Sequence, residues 1–88
     1  MSCPRWRTRL RRRMLRGRSI VRCFYCHKAI SASEATIDHL VPVSRGGHRF
    51  EDNAVIACHW CNCHKSDMDY GEFLASKVFA SRVRGIAA

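Results

Sequence analysis

Ile37-Asp38-His39-Leu40-Val41-Pro42-Val43-Ser44-Arg45-Gly46-Gly47 is the stretch that organises this 88-residue chain. Ala35-Thr36-Ile37 reads as a short strand, and a long irregular loop carrying Pro42 and Gly46-Gly47 follows it. Ala54-Val55-Ile56-Ala57 reads as the returning strand, and a helix is expected from His59 to Ser66. Asp38 and His39 therefore fall at the end of the first strand. A carboxylate is a hard oxygen ligand for Mg²⁺ or Mn²⁺. An imidazole takes a proton from water near neutral pH. Neighbours on an extended chain point opposite ways, so both serve one centre only if the strand end bends. Alone, an Asp-His pair is a weak signal.

Working outward, two Cys-x-x-C pairs flank this core, Cys23/Cys26 and Cys58/Cys61. That spacing lets two thiolates reach one tetrahedral Zn²⁺ from a tight knuckle. Disulfides or a redox dithiol are the competing explanation. The N-terminus lacks an apolar signal region, which favours zinc in a reducing compartment. Cys63, His59 and His64 crowd the second knuckle, but Cys58 and Cys61 have the standard spacing. Cys3 is expected to be a free thiol in a mobile arm.

The net charge of +9 sits entirely in the first quarter of the chain. Residues 1–22 hold nine arginines and no acid, whereas residues 23–88 hold seven charges of each sign. Such a block attracts polyanions, nucleic acid above all. A solvated tail and an organelle transit segment are the bland alternatives, but this stretch fills too much of so short a chain for the latter. Trp6, Leu10 and Met14 recur every four residues, so residues 5–16 are expected to form a basic helix. Its apolar stripe should pack lightly on the rest, with Gly17 as its stop. At the other end, Asp69 and Glu72 stand at capping-box spacing. One helix is expected from about Tyr70 to Val83, with Phe73, Leu74 and Val78 on its apolar face. No run approaches the length of a membrane span. One small domain with a modest core is what 88 residues allow, and such domains often need a metal to fold.

The run 37–47 closely resembles the first motif of the HNH endonucleases. Asn53, after Phe50-Glu51-Asp52, stands where that family places its central Asn. Cys58-His59-Trp60-Cys61-Asn62-Cys63-His64-Lys65 is similar to its closing motif, and Cys23/Cys26 match the upstream knuckle of its zinc-bearing branch. The resemblance covers roughly residues 16–75, four motifs in order. It implies a small α+β fold, the ββα-metal finger, with a four-cysteine structural Zn²⁺, a basic N-terminal helix and a C-terminal helix. Residues 1–18 would be an Arg-rich arm and residues 19–88 the nuclease domain. His39 would be the general base, Asp38 and Asn62 would hold a catalytic Mg²⁺ or Mn²⁺, and Asn53 would orient His39 and fix the loop. Two departures stand out. Asn62 replaces the His that often follows the last knuckle cysteine, making an H-N-N variant whose neutral oxygen favours Mg²⁺ or Mn²⁺. His27 stands where a knuckle Gly is common, and a positive φ there would suit His less well.

The partner implied is DNA, bound through Arg5, Arg7, Arg9, Arg11, Arg12, Arg13, Arg16, Arg18, Arg45 and Lys65. Each of these has a solvated charge as its plainer reading. The arm is expected to supply affinity rather than chemistry. Trp60, Phe24 and Tyr25 are expected to be buried near the knuckles, and the active-site imidazole to be exposed. A homodimer or accessory protein would be needed to cut both strands at once. The setting implied is the cytoplasm of a bacterial or phage-infected cell. Two alternatives stand beside a metal-dependent DNA endonuclease: a non-catalytic zinc-finger nucleic-acid-binding module and an inactive relic serving as an assembly factor. A binder needs none of Asp38, His39, Asn53 and Asn62 at these spacings.

Overall fold

The computed structural model describes residues 5–87, so the expectation for Cys3 lies outside the described residues. The elements are α1 (Arg5–Leu15), β1 (Ile20–Arg22), β2 (Ala29–Ser31), β3 (Thr36–His39), β4 (Ala54–Ala57), α2 (His59–Lys65), α3 (Tyr70–Leu74) and α4 (Lys77–Ala87). The small α+β class holds. β3 and β4 form an antiparallel pair in which His39 faces Ala54 and Thr36 faces Ala57. α2 packs on β3, completing the ββα unit. A second antiparallel pair, β1 with β2, brackets the first knuckle. Three-residue β2 is too short to announce itself by periodicity, and the sequence reading missed it.

The loop between β3 and β4 is tied by Asn53. Its side-chain oxygen accepts from Val41 N at 3.1 Å, and its amide donates to Val41 O at 2.9 Å and His48 O at 2.7 Å. Its own carbonyl accepts from Leu40 N at 2.9 Å, next to His39. Gly46 turns the chain with φ 91, and a Cβ on Gly47 would fall 1.9 Å from Val41 O. Only glycine lets the two strands of the loop approach this closely.

α1 is not lightly attached. Leu10 and Leu15 are buried in the common core, and Trp6 and Met14 pack against it. The Arg11 guanidinium donates to Ala35 O at 2.8 Å and also to Ala32 O. A four-residue stripe predicts a contact face, but how deep that face sinks depends on the strands opposite it.

The C-terminal helix is two helices. The capping box of Asp69 and Glu72 is present and starts α3. Ser76 then ends it: its hydroxyl donates to Phe73 O at 2.6 Å and accepts from Phe79 N at 3.1 Å, closing one helix and opening the next. In an unbroken helix, residues six apart point about 120° away from each other. The break brings Phe79 round to Phe73, with ring centroids 5.0 Å apart. Leu74 and Val78, expected on the buried face, are exposed.

Candidate active site and metal centre

The two knuckles meet. Cys23, Cys26, Cys58 and Cys61 are all buried, and their sulfurs lie within 4.8 Å of one another. Cys26 Sγ and Cys58 Sγ are 3.9 Å apart. Four thiolates around Zn²⁺ at about 2.3 Å have sulfurs about 3.8 Å apart, so the cluster fits a structural zinc. Cys61 N donates to Cys58 Sγ at 3.4 Å, the usual knuckle contact. Phe24 N donates to Ile56 O at 2.8 Å, which fastens the first knuckle to β4. His27 is exposed, takes no part in the cluster and adopts φ 64, so the knuckle does need the left-handed region. α4 reaches the same centre: Arg82 Nη2 is 3.8 Å from Cys58 Sγ, and its guanidinium lies 4.8 Å over the Trp60 ring. Trp60 is only half-buried, and it stacks on His64 with centroids 3.9 Å apart. Tyr25 is buried as expected, but Phe24 is exposed.

Asp38, His39 and Asn62 line one pocket of about 260 Å³, with Pro42, Ser44 and Ser66. β3 brings Asp38 and His39, and the first turn of α2 brings Asn62. Asn62 donates through Nδ2 to Thr36 Oγ1 at 2.9 Å and Ile37 O at 3.2 Å. That cross-link holds α2 on β3 and leaves the Asn62 amide oxygen with no protein partner among the described residues.

The Asp38 carboxylate is already engaged on one side. Its Oδ2 accepts from Tyr25 OH at 2.5 Å and from Lys65 Nζ at 3.1 Å. Burial and this carboxylate together push the Tyr25 hydroxyl well above its ordinary range, so it stays a donor. Lys65 is fully buried and also donates to His39 O at 2.8 Å. The expectation that Lys65 meets substrate phosphate is therefore corrected: its ammonium points inward and binds the end of β3. Tyr25, inside the first knuckle, was not foreseen as a partner of Asp38.

His39 is 4% exposed, so the expectation of an exposed imidazole also fails. The Trp6 ring lies 5.8 Å from it, tilted by 54°. Burial lowers its pKa. Nε2 has no hydrogen-bond partner among the described residues. With the proton on Nδ1, the Nε2 lone pair is free to accept a proton.

The arginines divide. Arg45, expected at the DNA, is exposed and tied to Glu72 Oε1 at 2.5 Å and Asp67 O at 3.2 Å. Arg11 anchors α1, and Arg18 donates to Leu15 O at 2.9 Å and Met14 O at 2.8 Å, closing the helix. Arg5, Arg9, Arg12, Arg13 and Arg16 are exposed. Arg7 lines the pocket of Asp38 and His39. No spacing rule marks it out from its neighbours.

No helix among the described residues is long and apolar enough to cross a membrane. No curated protein shows significant similarity to the chain. The family described as HNH endonuclease matches residues 23–75, more than half of the chain. That span runs from the first knuckle cysteine through β3, the Asn53 loop and α2 to the end of α3. On this match, and with the ββα unit and cysteine cluster it encloses, the chain belongs to the HNH endonuclease family and has a nuclease or nucleic-acid-related role.

Proposed function

We propose that this protein is a metal-dependent endonuclease that hydrolyses phosphodiester bonds in DNA, with His39 as general base. The observation that carries the reading is the unpartnered Nε2 of His39 in a pocket shared with Asp38 and Asn62. Asp38 Oδ1 and the Asn62 amide oxygen have no hydrogen-bond partner among the described residues. Two hard oxygen donors suit Mg²⁺ or Mn²⁺ better than Zn²⁺. Asp38 and Asn62 would hold a divalent ion, which would supply charge neutralisation for the phosphate. His39 Nε2 accepts the proton of the attacking water. Asn53 supports the backbone beside His39 through its carbonyl, which accepts from Leu40 N. Trp6 excludes bulk solvent from one side of the imidazole, and it must yield slightly for water to reach the enclosed nitrogen. Cys23, Cys26, Cys58 and Cys61 would hold a Zn²⁺ whose part is to stabilise the fold. Arg5, Arg9, Arg12, Arg13 and Arg16 supply affinity for the phosphate backbone. One site per chain cuts one strand, so a double-strand break requires a second copy or encounter. Zinc-bound thiolates suit a reducing cytoplasm.

A non-catalytic DNA-binding module is the second reading, and one observation favours it. Asp38 already has two partners and His39 is enclosed, as in a site that serves only folding. Relaxation of supercoiled plasmid separates the two. The endonuclease reading expects cleavage with Mg²⁺ or Mn²⁺, none with chelator, and a His39→Ala rate lower by about 10² to 10⁴. A pure parent protein that leaves plasmid intact with both metals would sink it.

A further inference from the structure

The family match begins at residue 23, and everything before it reads from sequence as a basic appendage. The structure joins the two through one side chain. Arg7, in the first turns of α1, lines the pocket that holds Asp38, His39 and Asn62. It is half-buried, whereas most arginines of the helix are exposed. No carboxylate of the described residues pairs with it: the ion pairs are made by Arg45, His48 and Lys65. Nor does it bond to a backbone carbonyl as Arg11 and Arg18 do. Its position is not a matter of chance orientation of a loose helix. Leu10 and Leu15 are buried below it, Arg11 is bound to the chain entering β3, and neighbouring Trp6 lies against His39.

The Arg7 guanidinium lies 5.5 Å from the centroid of the Trp6 ring, a contact that leaves its N–H donors free, and beside the imidazole it attracts an anion of its own shape. Arg is planar and permanently charged, and it matches two phosphate oxygens at once. Lys65, the other cation near Asp38, is spent on Asp38 and the His39 carbonyl.

We propose that Arg7 is a catalytic residue of the nuclease, binding the non-bridging oxygens of the scissile phosphate and offsetting the charge that gathers there in the transition state. The proposal rests on the endonuclease reading. In the step it serves, water oxygen forms a bond to phosphorus while its proton passes to His39 Nε2. The bond from phosphorus to the departing sugar oxygen breaks, and that oxygen takes a proton from solvent. Arg7 exchanges no proton; it holds the phosphate and neutralises it. The basic helix thus contributes chemistry through Arg7 and affinity through its exposed arginines.

The test is single-turnover cleavage of plasmid across a range of enzyme concentrations, giving a saturating rate and a half-saturating concentration. Parent, Arg7→Ala, Arg7→Lys and Arg84→Ala are compared, Arg84 being an exposed arginine of α4 outside the pocket. Zinc content and melting temperature check the fold; if Arg7→Ala loses them, Arg7→Gln, which keeps the stem, takes its place. Arg7→Ala should lower the saturating rate about 10²- to 10³-fold, the scale of losing one preorganised donor at a reacting centre. Arg7→Lys should restore part of it, and Arg84→Ala should match the parent. An active parent whose Arg7→Ala variant keeps the saturating rate and loses only affinity overturns this proposal and leaves the nuclease reading standing. A parent that does not cut overturns both.

Discussion

Replacing Lys65 with methionine removes the cation from a buried group that also contains Asp38, Tyr25 and the His39 carbonyl. The substitution keeps most of the side chain's volume, so packing changes little. What is lost is the ion pair to Asp38 Oδ2 at 3.1 Å and the hydrogen bond to His39 O at 2.8 Å. Removing one partner of a buried pair costs about 3 to 5 kcal/mol, because the remaining charge stays desolvated. A domain of this size has a total stability of about 4 to 13 kcal/mol, so the loss is a large share of it. At roughly 4 to 8 °C per kcal/mol, the melting temperature should fall by at least about 12 °C. Asp38→Asn should also destabilise, since it leaves the ammonium alone, and the double variant should be less damaged than the sum of the two by about 0.5 to 3 kcal/mol. Thermal melts of the zinc-loaded proteins at constant zinc measure this. Salt-dependent DNA binding supplies the control: a buried lysine leaves the log–log slope unchanged, whereas a phosphate contact would reduce it by about 1. If Lys65→Met melts within about 2 °C of the parent and flattens that slope, the ammonium is at the DNA surface and the burial argument is wrong.

Three other outcomes are expected. Cys58→Ser should lose the zinc, one ion per chain, together with cooperative unfolding, because structural zinc binding is worth on the order of 10 kcal/mol; metal analysis with a melt that matched the parent would refute this. Burial lowers His39 below its ordinary value of 6.5, so the rising limb of the parent's cleavage rate against pH should lie below that value and vanish in His39→Ala. The unfolded chain takes the proton first, so stability from this group is full above about 6.5 and is lost as pH falls through the lower folded value; melts from pH 7 to pH 5 that show no difference between parent and His39→Ala would contradict it. Deleting residues 1–18 removes buried Leu10 and Leu15, each worth about 1.5 to 3 kcal/mol, and should lower the melting temperature by at least about 12 °C, whereas a truncated protein that melts like the parent would show α1 to be a detachable arm.

Much of the fold was legible because its signals are local. The Cys-x-x-C spacing, the strand Ala54–Ala57, the helix from His59 and the Asp69–Glu72 capping box each depend on residues within one or two turns of each other. Asp38, His39 and Asn62 were legible as a group through their order and type, and they do share one pocket. What the order of residues left open was which charges face inward. Lys65 and Arg45 look alike as surface cations, yet Lys65 meets a carbonyl 26 residues away in the core and Arg45 a carboxylate 27 residues away at the surface. The same holds for Ser76, whose hydroxyl splits a helix only because Phe73 and Phe79 must both reach the core, and for Arg7, one of many arginines until α1 docks. Local spacing fixes which elements form and where they start; the partners of a long charged side chain are set by desolvation, which depends on what every other element brings to the same point in space.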